Sequence, residues 1–175
     1  MSEDAIVPAV DIITELILEN GLFPNNPRLP LVLYKKCLNL GKDQPGIVED
    51  IFFCNEWKNP WRNGIYTYHH YHSNTHEVLG IYSGQCVVEI GGDGGPTFEI
   101  EKGDVLIIPA GVSHKNFECT EDFKCVGAYP LDTAYDMYYG KPSERFVTES
   151  NIEKVPLPNS DPIYGPAGPL FLHWK

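Results

Sequence analysis

The chain has 175 residues, of which 42% are hydrophobic and 21% charged, and a formal net charge of −11. That length suits one domain with a sizeable core, and the acidic balance repels phosphate backbones and argues against nucleic acid as a partner. No basic amphipathic stretch points to an anionic membrane and no apolar run is long enough to span a bilayer.

The opening MSEDAIVPAV lacks a positive region followed by an apolar core, so it does not read as a signal peptide and a cytoplasmic protein is expected. The five cysteines, Cys37, Cys54, Cys86, Cys119 and Cys125, are odd in number and form no CxxC pair. They are therefore expected to be reduced and mostly buried.

Residues 8–20 (PAVDIITELILEN) predict a helix. Pro8 suits its first turn, Ile13, Leu16, Ile17 and Asn20 share one side, and Gly21 follows as a stop. After the loop PNNPRLP the pattern changes to short runs rich in β-branched and aromatic residues: LVLYKKCL, DIFFCNEW, GIYTYHHYH, EVLGIYSG, QCVVEIGG, TFEIEKG, DVLIIPAG and FKCVGAYP. Many short strands separated by Gly, Pro, Asn and Asp argue for a β-sandwich or barrel. The glycine-rich GGDGGP at 91–96 lacks the Lys-Ser/Thr and the helix of a phosphate loop and reads as a hairpin turn. From about residue 131 the strand signal fades into a segment dense in proline and glycine. That segment still carries Ile163, Tyr164, Leu170, Phe171 and Trp174, so it is expected to pack on the barrel or on a partner subunit.

The chemistry concentrates between positions 69 and 114, which hold five of the six histidines. In His70-Tyr71-His72, side chains two apart on a strand share a face, so the two imidazoles converge. Inside a barrel such rings need hydrogen-bond partners or a metal. The short turn SNTH lets the run beginning at Glu77 return beside them, and His114 arrives from far along the chain to complete a set of nitrogen and oxygen donors. No member is informative alone; the combination carries the reading. Imidazole with carboxylate suits one divalent transition metal, Fe, Mn, Ni, Zn or Cu.

These residues stand in a pattern: Gly64-x5-His70-x-His72-x4-Glu77-x6-Gly84, then Gly103-x5-Pro109-x-Gly111-x2-His114. The pattern resembles the two signature motifs of the cupin superfamily, with one departure at Glu118, where the second motif ends in Asn. The wider wording (HHYHSNTHE, IPAGVSH, VGAYP) is similar to the YjlB-like single-domain cupins, a group without an assigned reaction. The resemblance implies an all-β fold: a single-domain cupin, or double-stranded β-helix (jelly-roll barrel), over residues 30–130. Flanking it are a short N-terminal helix and loop (1–29) and an extended C-terminal tail (131–175). It implies His70, His72, Glu77 and His114 as metal ligands.

By strand parity, His69 and Tyr71 point away from the barrel interior. His76, beside Glu77, is a rival ligand because a turn precedes it. Tyr66 and Tyr68 share the parity of His70, and Asn116 and Glu118 that of His114, so all four are candidate pocket residues, with Glu118 or Tyr68 as a pocket base. Four protein ligands leave one or two coordination positions open, which suits a small-molecule metalloenzyme of the dioxygenase, isomerase, decarboxylase or lyase type. The alternative is a cupin that binds or senses a small molecule without turning it over. Exposed strand edges and the apolar tail predict a homodimer.

Overall fold

The computed structural model describes residues 3–175. Nine strands among them run as β1 (Asp11–Glu15), β2 (Leu31–Lys35), β3 (Trp57–Asn63), β4 (Glu77–Ser83), β5 (Gln85–Ile90), β6 (Thr97–Glu101), β7 (Val105–Ile108), β8 (His114–Cys119) and β9 (Lys124–Pro130). Helices α1 (Pro45–Cys54), α2 (Arg145–Ile152) and α3 (Leu170–His173) are short. The strands form two antiparallel sheets, ordered β1-β2-β7-β4-β9-β3 and β6-β5-β8. The fold is an all-β jelly roll.

Burial explains the wording of the strands. Leu31, Leu33, Leu79, Ile81, Leu106 and Ile108 of the large sheet meet Cys86, Val88, Ile90, Phe98 and Ile100 of the small one in an inner core. The alternate residues Val32, Tyr34, Val78, Val105, Ile107 and Val126 lie in a second core on the outer face of the large sheet, together with Val48, Ile51 and Phe52 of α1 and Ile163, Leu170 and Trp174 of the tail. The large sheet is thus covered on both faces, and β2, β4 and β7 read as continuous apolar runs. In the small sheet, β6 is covered on one face only and TFEIE alternates accordingly.

Several expectations are corrected. Residues 8–20 contain no helix; Asp11–Glu15 is a strand paired with β2 from Asp11↔Lys35 to Glu15↔Leu31, because an open strand edge outweighs a helix-like spacing in so short a segment. DIFFCNEW is not a strand but mostly the end of α1, whose buried positions Val48, Ile51 and Phe52 sit at helical spacing. Gly80 makes room for that helix: a Cβ there would lie 2.5 Å from Val48 and 2.9 Å from Phe52. GIYTYHHYH is largely irregular and makes only isolated bridges, His70 with His114 of β8 and Tyr71 with Tyr138 beyond the last strand. The cysteines are not all reduced. The β5–β8 register places Cys86 opposite Cys119, with Cα atoms 4.0 Å apart, and the two form a disulfide. Cys37, Cys54 and Cys125 are free. GGDGGP does connect β5 to β6, which pair as a hairpin. Among the described residues no helix is long and apolar enough to cross a membrane.

His76 ties the tail to the barrel. Its Nδ1 accepts the Ala110 N–H at 2.9 Å, so in the neutral ring the proton sits on Nε2, which donates to the Pro156 carbonyl at 3.2 Å. The ring packs on Trp174 at 4.6 Å. Burial holds its pKa down to about 4, against a small upward pull from the Pro156 carbonyl. The unfolded chain, with an ordinary value of about 6.5, therefore takes up this proton first as pH falls. Stability from the neutral ring is full above about pH 6.5 and is lost on descending to pH 4, on the order of 3 kcal/mol over that window. Urea unfolding at pH 7 and pH 4.5 should show a clearly smaller acid loss for His76→Gln than for the wild type. Equal losses in both proteins would refute this role.

Candidate metal centre

Four buried side chains converge at one end of the inner core. His70 and His114 are joined through their backbones, the His70 N–H to the His114 carbonyl at 3.2 Å and the reverse bond at 3.0 Å. The Gly111 N–H holds the His72 carbonyl at 2.7 Å. Gly111 has φ +88°, and a Cβ there would lie 2.5 Å from the Asn25 carbonyl oxygen, so only glycine fits this turn into β8. Glu77 opens β4 opposite Ile108 of β7.

All three rings are held by their outer nitrogens. Nδ1 of His70 faces the Tyr68 carbonyl at 3.2 Å, Nδ1 of His114 faces the Val112 carbonyl at 3.2 Å, and Nδ1 of His72 bonds the Asp136 carbonyl. A carbonyl only accepts, so each Nδ1 carries the hydrogen and each neutral ring turns a bare Nε2 lone pair inward. Nε2 of His114 lies 3.2 Å, and that of His72 3.5 Å, from Oε2 of Glu77. The His70 ring lies 4.3 Å from that of His114 and 6.0 Å from that of His72. Oε1 of Glu77 accepts the Tyr129 hydroxyl at 3.1 Å. Oε2 is buried and has no hydrogen-bond partner among the described residues.

The electrostatics follow from burial and from this packing. Burial, with the neighbouring His114, holds His70 down to about 3, so its ring is neutral at pH 7. For His72 burial acts downward but is outweighed by the Glu77 carboxylate and the Asp136 carbonyl, and its pKa is raised. For Glu77 burial acts upward but is outweighed by His72 and His114, which hold the carboxyl well below the usual carboxylate range.

A second cluster differs in kind. His69, Glu89 and Asp93 have donor atoms all within 4.8 Å of one another, a tighter grouping than the set around Glu77. A cation is already there: Lys115 Nζ lies 2.8 Å from both Glu89 Oε2 and Asp93 Oδ1. His69 Nδ1 bonds the Ser113 hydroxyl at 2.8 Å. This is a closed ion-pair network, and it accounts for a His69 that points away from His70 and is nonetheless buried.

Comparison with known proteins agrees with the geometry. The family model described as "Cupin domain" matches residues 62–126, which contain all four converging residues. The chain is 42% identical over 156 residues to the uncharacterized protein YjlB of Bacillus subtilis (strain 168), covering 89% of this chain and 92% of that one. The chain belongs to the cupins, in the YjlB-like group. Among solved structures, a DUF861 family protein from Thermotoga maritima is 22% identical, covering 50% of this chain and 92% of that one, with a TM-score of 0.34. A Klebsiella pneumoniae protein with a double-stranded β-helix domain is 13% identical, covering 81% of this cupin and 95% of that chain, with a TM-score of 0.38. Both likenesses are too loose to bear on the site.

The site of this cupin opens on a cavity of about 160 Å³. Of the four expected pocket residues, Tyr66 lines it. Tyr68 does not: it is 45% exposed and stacks on Tyr66 at 4.9 Å. Asn116 is half-buried and outside the lining, its backbone N–H bonded to the Tyr66 carbonyl. Glu118 lines a separate cavity beside Cys86 and Cys119, because the β5–β8 register shifts between Val87 and Val88. The bulge leaves Phe117 unpaired and reverses the parity of everything after it. The anticipated pocket base at Glu118 or Tyr68 is therefore not in the cavity. His76 is not a rival ligand, since both its ring nitrogens are engaged elsewhere.

Sequence reasoning missed Trp61, Tyr129, Tyr135 and Met137 of the cavity wall and the Asp136 carbonyl that holds His72. A signal for Tyr129 was present. Cys125 of β9 is in the inner core while Val126 and Ala128 are in the outer one, so parity turns Tyr129 inward.

Proposed function

We propose that this cupin holds one divalent transition metal on the Nε2 atoms of His70, His72 and His114 and on Oε2 of Glu77, and uses it to act on a small molecule. The observation that supports this most directly is the orphaned Oε2 of Glu77. A buried carboxylate oxygen without a donor is costly, and two inward lone pairs at 3.2 and 3.5 Å repel it unless a cation or a proton lies between. Three imidazoles with one carboxylate suit Fe(II), Mn(II), Ni(II), Zn(II) or Cu(II).

A divalent metal held by His70, His72, Glu77 and His114 would supply Lewis acidity toward an oxygen of a small ligand. The chain's own residues do the rest. Carbonyls at Tyr68, Val112 and Asp136 fix the tautomers of the three histidines. Ile65, Leu79 and Met137 supply an apolar part of the cavity wall. A volume of about 160 Å³ is close to that of an apolar cavity that accepts benzene, so the ligand is of about that size and carries an oxygen donor. Oxidation by dioxygen, isomerisation, decarboxylation and lyase chemistry all fit an open position of this kind.

One observation favours a second reading, a binding or sensing cupin. Among the described residues Glu77 is the one carboxylate that lines the cavity, so no second carboxyl group stands ready to move a proton. A cell extract passed over the immobilised protein separates the two: a binder returns its metabolite unchanged and an enzyme returns a product. Elemental analysis of untagged protein tests the metal itself and should give about one ion per chain. A value near zero after incubation with Fe(II), Mn(II), Ni(II) and Zn(II) would remove the proposal.

A further inference from the structure

Tyr129 occupies a directed chain of hydrogen bonds behind Glu77. The Trp61 Nε1–H donates to the Tyr129 hydroxyl oxygen at 2.8 Å, and that hydroxyl lies 3.1 Å from Oε1 of Glu77. An indole N–H can only donate. The phenol oxygen accepts from Trp61, and with Glu77 present as the carboxylate, which only accepts, the phenol sends its own proton to Oε1.

The backbone is built around this chain. Trp61 follows an irregularity in the β3–β9 register between Lys58 and Trp61, next to Asn59 at φ +53°. Its indole lies across Gly127 of β9, where a Cβ would come within 2.1 Å of the ring. Glycine at 127 is what lets the indole lie flat and aim Nε1 at residue 129, two positions along the same strand. Tyr129 itself is buried and stacks on Tyr135 at 4.7 Å, so its hydroxyl has little freedom to turn elsewhere.

We infer that Tyr129, oriented by Trp61, is a positioning residue that holds Oε1 of Glu77 away from the metal, so that the carboxylate binds through Oε2 alone and one coordination position stays open. The inference rests on the proposed metal site and adds to it the cause of the opening. A carboxylate beside a divalent ion can bind through one oxygen or two. Here one oxygen is hydrogen-bonded to a phenol and the other, partnerless, faces the imidazoles. Without the phenol hydroxyl, Oε1 would be as unpaired as Oε2, and turning both toward the ion would satisfy it.

The experiment loads wild type, Tyr129→Phe and Trp61→Phe with Mn(II) as the probe and reads water-proton relaxivity per bound ion, with the absorption of the Co(II) forms as a second readout. Four protein ligands on a six-coordinate ion leave about two waters. The Tyr129→Phe protein should hold the same amount of Mn(II) but lose about one water's share of relaxivity, and its Co(II) spectrum should change. Trp61→Phe should move both readouts the same way by less. Packing alone would move neither readout at unchanged metal content. Wild-type relaxivity and spectrum in a folded, loaded Tyr129→Phe protein would overturn the inference. So would a folded Tyr129→Phe protein that takes up no Mn(II), since the hydroxyl would then serve binding rather than denticity. If Tyr129→Phe does not fold, Trp61→Phe decides, and unchanged readouts there overturn it. Failure of the wild type to take up metal would instead remove the metal site.

Discussion

Replacing His72 by alanine is expected to cut metal affinity by at least about 100-fold, while replacing His69, three residues earlier, should change it by less than about 3-fold. The first figure takes as its floor the cost of losing a residue that merely supports a ligand, about 10- to 100-fold. His70→Ala, His114→Ala and Glu77→Ala should behave as His72→Ala does; the carboxylate also balances the ion's charge in a low-dielectric interior. His69 should be nearly silent because its two nitrogens face Ser113 and Glu89. His76→Ala should be silent toward metal for the same reason, whatever it does to stability. Calorimetric titration with Zn(II), after circular dichroism has confirmed folding, makes the measurement. The variants should fold without metal, since two hydrophobic cores hold the sheets together. If His69→Ala lost the ion while His70→Ala kept it, the cluster around Lys115 would be the centre and the proposed ligand set would be wrong.

That contrast was legible in the sequence because it depends on spacing alone. Alternation along a segment sends residues 70 and 72 one way and 69 and 71 the other even where, as here, the segment makes only isolated bridges. Parity failed where spacing was broken from outside. At Glu118 the bulge in β8 lies between the motif and the residue, and nothing in HKNFEC marks it. The Cys86–Cys119 disulfide is hidden for a related reason: polar β8 does not read as a strand, so the sequence does not set Cys119 opposite Cys86 of β5. The helix α1 was misread because DIFFCNEW begins inside it. The pattern 48, 51, 52 is visible only from Pro45 onward, and a short apolar run does not separate strand from helix by itself. Tyr135 and Met137 lie past the last strand-like run, in chain whose approach to the site depends on tertiary contacts between Asp136 and Ser73.

The tail supplies the largest expected effect on stability. Asp161 is fully buried and its carboxylate organises the C-terminal segment against β2. Oδ2 accepts the Tyr34 hydroxyl at 2.6 Å and the Leu170 N–H at 3.1 Å, and Oδ1 accepts the N–H groups of Ile163 and Tyr164 at 2.8 and 3.0 Å. Gly168 lets the chain close over it, since a Cβ there would lie 2.5 Å from Oδ2. The Asp161→Ala variant would leave four donors without a partner. Each buried unsatisfied group costs about 1–3 kcal/mol, and partial relaxation should bring the total to about 4 kcal/mol. With a urea slope of about 2 kcal/mol per molar, the midpoint should fall by about 2 M. Tyr34→Phe removes one of the four bonds and leaves the carboxylate in place, so it should cost about 1 kcal/mol. The tail covers the outer core, where Ile163, Leu170 and Trp174 pack with Trp57, so the loss should appear as one cooperative transition in both tryptophan fluorescence and circular dichroism. A loss of less than about 1 kcal/mol for Asp161→Ala would mean that water reaches those donors and that the tail is held by its apolar side chains alone.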